Sequence, residues 1–195
     1  MSNPVPHLIL ASSSPRRREL LLQAGYSFEI VPPGDEAESD ADYTEHPPDM
    51  VARLARQKAA DVAGRIEHGL VLGCDTVAEC RGQILGKPRD LEHARHMLQV
   101  LRGQEHRVFR GLCLWPRPSG PYLVRVAETV LRMTPISDRQ LEQYLDSGQW
   151  QGKAGAFGYQ DGHDWLQIVA GSESNVVGLP LELLAEMIET CRESE

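Results

Sequence analysis

Three serines, Ser12, Ser13 and Ser14, are followed across Pro15 by three arginines, Arg16, Arg17 and Arg18. Guanidinium groups grip phosphate oxygens two at a time, and the free N–H groups of a helix start point at anions. The pattern therefore suits phosphate binding; a solvated basic turn behind an ordinary cap is the alternative. The positive end of a helix macrodipole disfavours cations by about 0.3–1 kcal/mol each, so a bound anion accounts for the triplet more easily. A second candidate is acidic. Asp75 follows the apolar run of residues 70–72, at the expected end of a strand. A carboxylate beside a strand core is costly without a partner, a metal or solvent, and α/β proteins bind ligands beyond strand ends. Asp75 beside Thr76 could equally cap a turn. Arg81-Gly82 signals a tight hairpin, whose returning strand could carry Lys87 back toward Asp75. A carboxylate base near a lysine and grouped arginines suits attack on a phosphate.

These residues need elements to hold them. Leu8, Ile9 and Leu10 read as a buried strand, and Ser14 as the N-cap of a helix with Pro15 at its first position and Gly25 as its stop. Phe28, Ile30 and Val31 suggest a second strand. The acidic, Pro-rich stretch 32–49 carries Asp35, Glu36, Glu38, Asp40, Asp42 and Glu45, mostly as solvated loop charges. One or two of them could hold a hard divalent cation, which prefers carboxylate oxygens. Residues 48–66 fit a helix with Val51, Leu54, Ala55, Ala59, Val62 and Ile66 inward. Lys58 sits at the border of that stripe, where a surface lysine is the preferred reading.

Asp90 is placed to cap a helix ending near Leu101, with Leu91, Ala94, Met97, Leu98 and Leu101 inward and Gly103 as its stop. His93 and His96 share its face and are read as exposed rather than as metal ligands. Residues 108–115 and 122–133 read as two long antiparallel strands, and Ser137 caps a short helix. The run KAGAFGYQDG (153–162) permits close backbone approach to a ligand, although an ordinary connection has the same composition. A strand over 165–169, the segment NVVGLP (175–180) and a final amphipathic helix burying Leu183, Leu184, Met187 and Ile188 complete the chain.

At 195 residues the chain suits one domain over 1–195, with room for two lobes around a cleft. Its net charge of −8 argues against general nucleic-acid binding. A polyanionic substrate then requires local arginines, lysines or a metal to reverse the field. No apolar run reaches membrane-spanning length, and the N-terminus lacks a charged leader, so neither a membrane span nor a secretion signal is expected. Cys74, Cys80, Cys113 and Cys191 are scattered in apolar stretches, as free thiols are. A reduced, cytoplasmic setting without a zinc site follows.

Taken together, LASSSPRR (10–17), Asp75-Thr76 followed by GKP (86–88), KAGAFGYQ (153–160) and NVVGLP resemble the Maf family of nucleotide pyrophosphatases. The motifs stand in family order and span about residues 8–184. The resemblance implies a fold similar to inosine triphosphate pyrophosphatases: mixed α/β, an elongated sheet with flanking helices, two lobes around a cleft, often a homodimer. It implies hydrolysis of a nucleoside triphosphate between its α and β phosphates, with Mg²⁺ or Mn²⁺ as cofactor.

Carried over residue by residue, the resemblance makes Asp75 the proton acceptor. It assigns Ser14, Arg16, Arg17, Lys58 and Lys87 to the phosphate site, and Glu36 as a carboxylate aiding Asp75 with metal. Arg16, Thr76 and Gln160 occupy the three positions that separate subfamilies, and this combination is similar to members acting on dTTP and UTP. A glutamine amide offers both a donor and an acceptor to a pyrimidine edge. Two departures bear on substrate preference. Arg110, in Phe109-Arg110-Gly111, stands where a threonine is usual, and Tyr159 where isoleucine is common. A nucleotide-binding regulator of division without catalysis, and a phosphohydrolase cleaving the terminal phosphate, are the rival expectations.

Overall fold

The strand that begins the fold, β1 (Leu8–Ala11), is buried along its whole length. In the computed structural model, which describes residues 7–38, 44–161 and 163–193, it pairs in parallel with β2 (Phe28–Ile30) on one edge and β3 (Gly69–Cys80) on the other. Central parallel strands are covered on both faces, so they read as unbroken apolar runs. The helix α1 (Pro15–Gln23) starts with its proline and buries Leu20 and Leu21. It stops because Gly25 adopts a φ of +78°. The Gly25 N–H then reaches Leu22 O and the Tyr26 N–H reaches Leu21 O, both at 3.0 Å, which closes the orphan carbonyls of the last turn.

The acidic stretch forms a short helix, α2 (Asp35–Glu38), with the Gly34 N–H donating to Asp61 Oδ2 at 3.0 Å. Asp40 and Asp42 lie outside the described residues. The helix α3 (Pro47–Ala63) buries the expected stripe of Val51, Leu54, Ala55, Ala59 and Val62, together with Met50. It lies very close to the sheet. A Cβ at Gly73 would meet Ala55 O at 2.2 Å, and one at Gly111 would meet Val51 O at 2.1 Å. Only glycine permits that approach.

Strand β3 corrects one expectation. It runs twelve residues, to Cys80, so Asp75 lies in its interior and not at its end. Thr76 and Val77 continue the β-branched pattern, and the carboxylate finds a cationic partner, described below. Arg81 and Gly82, at φ +53° and +81°, turn the chain into β4 (Gln83–Leu85), with Cys80 opposite Gln83. Positive φ at both central residues suits a two-residue hairpin.

In α4 (Leu91–Leu101) Asp90 Oδ1 accepts the His93 N–H at 2.7 Å, as a capping aspartate should. The long strands β5 (Glu105–Arg117) and β6 (Leu123–Met133) precede α5 (Asp138–Asp146), which Ser137 and Gln140 begin with a capping box. A single turn at Ala154–Ala156, then β7 (Leu166–Ala170) antiparallel to β6, leads into α6 (Glu173–Val177) and α7 (Leu181–Glu193). No sequence pattern marks α6 in advance. In α7 Leu184, Met187 and Ile188 are buried, whereas Leu183 is only half-buried.

The strand order is β2-β1-β3-β5-β6-β7, with β4 on β3: a mixed, seven-stranded α/β sheet with flanking helices. Two compact units result. One holds Met1–Asp75, Arg110–Ala127 and Gly178–Glu195; the other holds Thr76–Phe109 and Glu128–Val177. Each has its own core. In the first, Ile9, Val71 and Cys113 meet Ala55, Ala59 and Val62 of α3. In the second, Met97, Leu98, Tyr144, Trp150 and Phe157 pack together, with Trp165 against them. Among the described residues, no helix is long and apolar enough to cross a membrane.

Candidate active site

The turn between β1 and α1 belongs to the first unit. Ser12 is buried, and its Oγ accepts the Ser14 N–H at 3.3 Å and Arg17 Nη1 at 2.8 Å. Ser14 occupies the N-cap position, but its side chain makes no capping bond, contrary to the sequence reading. Ser12 organises the turn in its place. The first-turn N–H groups of α1 are thus left without a side-chain cap, and no acidic residue accompanies them. Uncapped N–H groups at the positive end of a helix are anion ligands. Arg16 is half-buried and Arg18 exposed.

Arg17 is tied into the scaffold. Its Nη1 also donates to Cys74 O at 2.9 Å, and its Nε reaches Gly178 O at 3.4 Å. Cys74 immediately precedes Asp75, so α1 is fastened to the residue beside the candidate base. The strand register agrees, since Ala11 lies opposite Gly73.

Lys58 overturns the surface reading. Its Nζ donates to Asp75 Oδ1 at 2.7 Å, with side chains only 7% and 14% exposed. The cause is the close packing of α3. Gly73 admits Ala59 against the strand, which brings Lys58, one residue earlier, to the same face. Asp75 shares that face with Gly73, because alternate residues of a strand point the same way. A half-buried carboxylate held by an ammonium can accept a proton from a water that approaches its other side.

A further cation, which the sequence marked only as a family departure, lies in the same unit. Arg110 is 4% exposed and donates to the Gly178 carbonyl, the same oxygen that Arg17 reaches. Burial pulls its guanidinium down to about 10; a hydrogen bond with the Cys74 side chain works the other way, and repulsion from Arg17 and Arg16 adds to the lowering. Arg17 and Arg110 therefore meet at one carbonyl beneath the start of α1. The signal was an arginine set in an apolar strand, between Phe109 and Gly111-Leu112-Cys113.

The remaining candidates lie on other elements or further along β3. Glu36 is exposed on α2. In the second unit Thr76 is half-buried on β3, while Lys87 and Gln160 are exposed. The loop carrying Gln160 is anchored by Asp161, which is ion-paired with Lys153 and accepts the Tyr144 hydroxyl at 2.6 Å and the Gly158 N–H at 2.9 Å. His93 is half-buried, its Nδ1 accepting from Arg89 N–H and Nε at 3.3 Å, while His96 is exposed as expected.

Among the described residues, no group of three or more His, Cys, Asp or Glu side chains is placed to hold a metal. Asp75 nonetheless offers a hard oxygen donor in a half-buried position. Mg²⁺ is commonly held by one or two carboxylates while substrate phosphates complete its shell. Among the described residues, the donor set fits a cation whose shell an anionic ligand completes rather than a preformed cage.

The family model described as Maf-like protein matches residues 7–191. The dTTP/UTP pyrophosphatase of Rhodopirellula baltica is 56% identical over 183 residues, covering 93% of this chain and 81% of that protein. The dTTP/UTP pyrophosphatase of Ruminiclostridium cellulolyticum is 39% identical over 188 residues, or 96% and 97% of the two chains. Among solved structures, the Staphylococcus aureus Ham1 protein matches 66% of this chain and 72% of its own, with a TM-score of 0.43 and 12% identity. The uncapped first turn of α1 and the Lys58–Asp75 pair fall within the matched span, which runs from β1 into α7, and the chain belongs to the Maf family.

Proposed function

We propose that the protein is a nucleoside triphosphate pyrophosphatase that hydrolyses dTTP and UTP to the monophosphate and pyrophosphate, a house-cleaning activity on nucleotide pools. The observation that carries this reading is the Lys58–Asp75 pair together with the uncapped start of α1, which Arg17 fastens to β3 through Cys74 O, one residue before Asp75. The names of relatives at up to 56% identity support the same substrates.

In this mechanism the first-turn N–H groups of α1, the Ser14 hydroxyl and Arg16 receive phosphate oxygens. Arg17 keeps that turn in place and adds its charge. Lys58 and Lys87 offset the charge that grows on the departing pyrophosphate. Asp75 orients the attacking water and takes its proton as the water approaches the α phosphorus in line. Lys58 holds the Asp75 carboxylate aimed through the contact at 2.7 Å. A divalent cation, Mg²⁺ or Mn²⁺, held by Asp75 with Glu36 assisting, would neutralise charge on the phosphate oxygens. Arg16, Thr76 and Gln160 select the pyrimidine, the Gln160 amide matching a donor and an acceptor on the base edge. The reading includes a single functional domain over residues 1–195 acting in the cytoplasm, as a homodimer, with the nucleoside triphosphate as its partner.

The test is a product-resolved assay with dTTP, UTP and Mg²⁺. Monophosphate and pyrophosphate are expected. A diphosphate with inorganic phosphate would make the protein a terminal phosphohydrolase, and tight binding without products would make it a nucleotide-binding regulator. Asp75→Asn should lower turnover by several orders of magnitude while nucleotide still binds; near-full turnover in that variant rules out Asp75 as the base.

A further inference from the structure

We propose that Arg110 is a positioning residue that sets how strongly the β1–α1 junction holds a polyphosphate, by fixing the Gly178 carbonyl beneath α1 and adding a buried positive charge under Arg16 and Arg17. This rests on the reading of that junction as the triphosphate site. The placement follows from the strand. Gly111 faces α3, where its missing Cβ leaves room for Val51 O, so Arg110, the residue before it, must point to the opposite face. That face meets α1. Gly178 packs there too, since a Cβ on it would lie 3.3 Å from Arg16 Cβ and 3.4 Å from Leu20 Cδ1.

Arg110 and Arg17 converge on one carbonyl oxygen, so two guanidinium groups are held side by side out of water. Like charges that close repel, and their repulsion is not screened when buried. Such an arrangement works against the folded chain and in favour of a bound polyanion. It also predicts a graded preference: the more negative the ligand, the more Arg110 matters. A purely structural arginine would act the other way, supporting the fold and leaving ligand charge irrelevant.

The experiment compares wild-type protein with Arg110→Met, which keeps the length without the charge, and with Arg110→Thr, the residue usual in the family at this position. Binding of inorganic pyrophosphate and of thymidine monophosphate is measured by titration calorimetry, alongside thermal unfolding. Arg110→Met should weaken pyrophosphate binding by about tenfold, the effect of one nearby charge in a partly screened site. Monophosphate binding should change by less than about twofold on the same scale. The melting temperature should stay level or rise, because removing a crowded buried cation in favour of an apolar chain is often neutral or stabilising. Arg110→Thr should show the same loss of pyrophosphate binding. Should the two uncharged variants fail to fold, Arg110→Lys serves: it retains the charge and should keep pyrophosphate binding close to wild type. Equal pyrophosphate binding by wild type and Arg110→Met, equal loss for both ligands, or loss in Arg110→Lys overturns the proposal. Calorimetry needs no turnover, so the two readings part cleanly. Charge-graded binding that depends on Arg110 in a protein that hydrolyses no triphosphate upholds Arg110 and sinks the pyrophosphatase.

Discussion

Removing Lys58 should harm the fold, and a second substitution should repair part of that harm. In Lys58→Met the Asp75 carboxylate, 14% exposed, loses the ammonium 2.7 Å away and remains in the interior of β3. Breaking a buried pair from one side costs about 3–5 kcal/mol. The residual exposure of Asp75 places the expectation near the lower end, about 3 kcal/mol. For a chain of this length that is a drop of roughly 6–12 °C in melting temperature. Asp75→Asn alone should cost less, about 1–2 kcal/mol, because the amide oxygen still accepts from Lys58 Nζ. The informative variant combines the two. Once the ammonium is gone, an uncharged amide is easier to bury at this position than a carboxylate, so Lys58→Met/Asp75→Asn should be more stable than Lys58→Met by about 1–3 kcal/mol. Urea unfolding of all four proteins closes the cycle. It should close in the same way at high salt, since a pair this buried is weakly screened. A double variant less stable than Lys58→Met, or a coupling that vanishes in salt, would refute the account of the pair as buried and mutually compensating.

Two further outcomes concern the scaffold. Burial holds the His106 ring down to about 4, whereas an unfolded chain takes up that proton near about 6.5. The unfolded state therefore binds more protons between those values, so this contribution is complete above about pH 6.5 and lost as pH falls toward about 4, by about 3 kcal/mol in all. In His106→Gln the stability curve should flatten over that window, and an unchanged slope would show that His106 is not its source. At Gly111 a Cβ would fall 2.1 Å from Val51 O and 2.5 Å from its carbonyl carbon, backbone atoms that cannot rotate aside. Gly111→Ala should cost at least about 1–3 kcal/mol, read by thermal unfolding, and a near-neutral result would mean that α3 rides on the sheet less closely than described.

Much of the fold was legible because its signals are local. Asp90 and Ser137 announced α4 and α5 by capping, Arg81-Gly82 announced the hairpin, and the unbroken run of residues 8–10 announced a buried strand. Ser14 misled for an equally local reason. A serine before a proline is the usual cap, but Ser12, two residues earlier, took over the turn by accepting from Ser14 itself and from Arg17. No spacing rule foretells which of three consecutive serines will be buried. The helix α6 was missed because five residues with Ser174 and Asn175 carry no helical period.

The harder failures, Lys58 and Arg110, share one cause, and it was written in the glycines. A helical wheel leaves Lys58 on the border between core and water, since it counts angle and not distance. What decides its fate is how near α3 comes to the sheet, and that distance is set by Gly73 and Gly111, both in strand interiors where glycine otherwise weakens a strand. With those two positions taken as the places where a helix rests, alternation assigns the rest. Asp75 falls on the helix side with Gly73, so a lysine beside the contacting Ala59 is its natural partner. Cys74 and Arg110 fall on the far side, beneath α1, where the arginines of the first turn already gather. A strand glycine next to a charged residue thus says more about a site than the charged residue does alone: it tells which face the helix occupies and leaves the charge only one place to go.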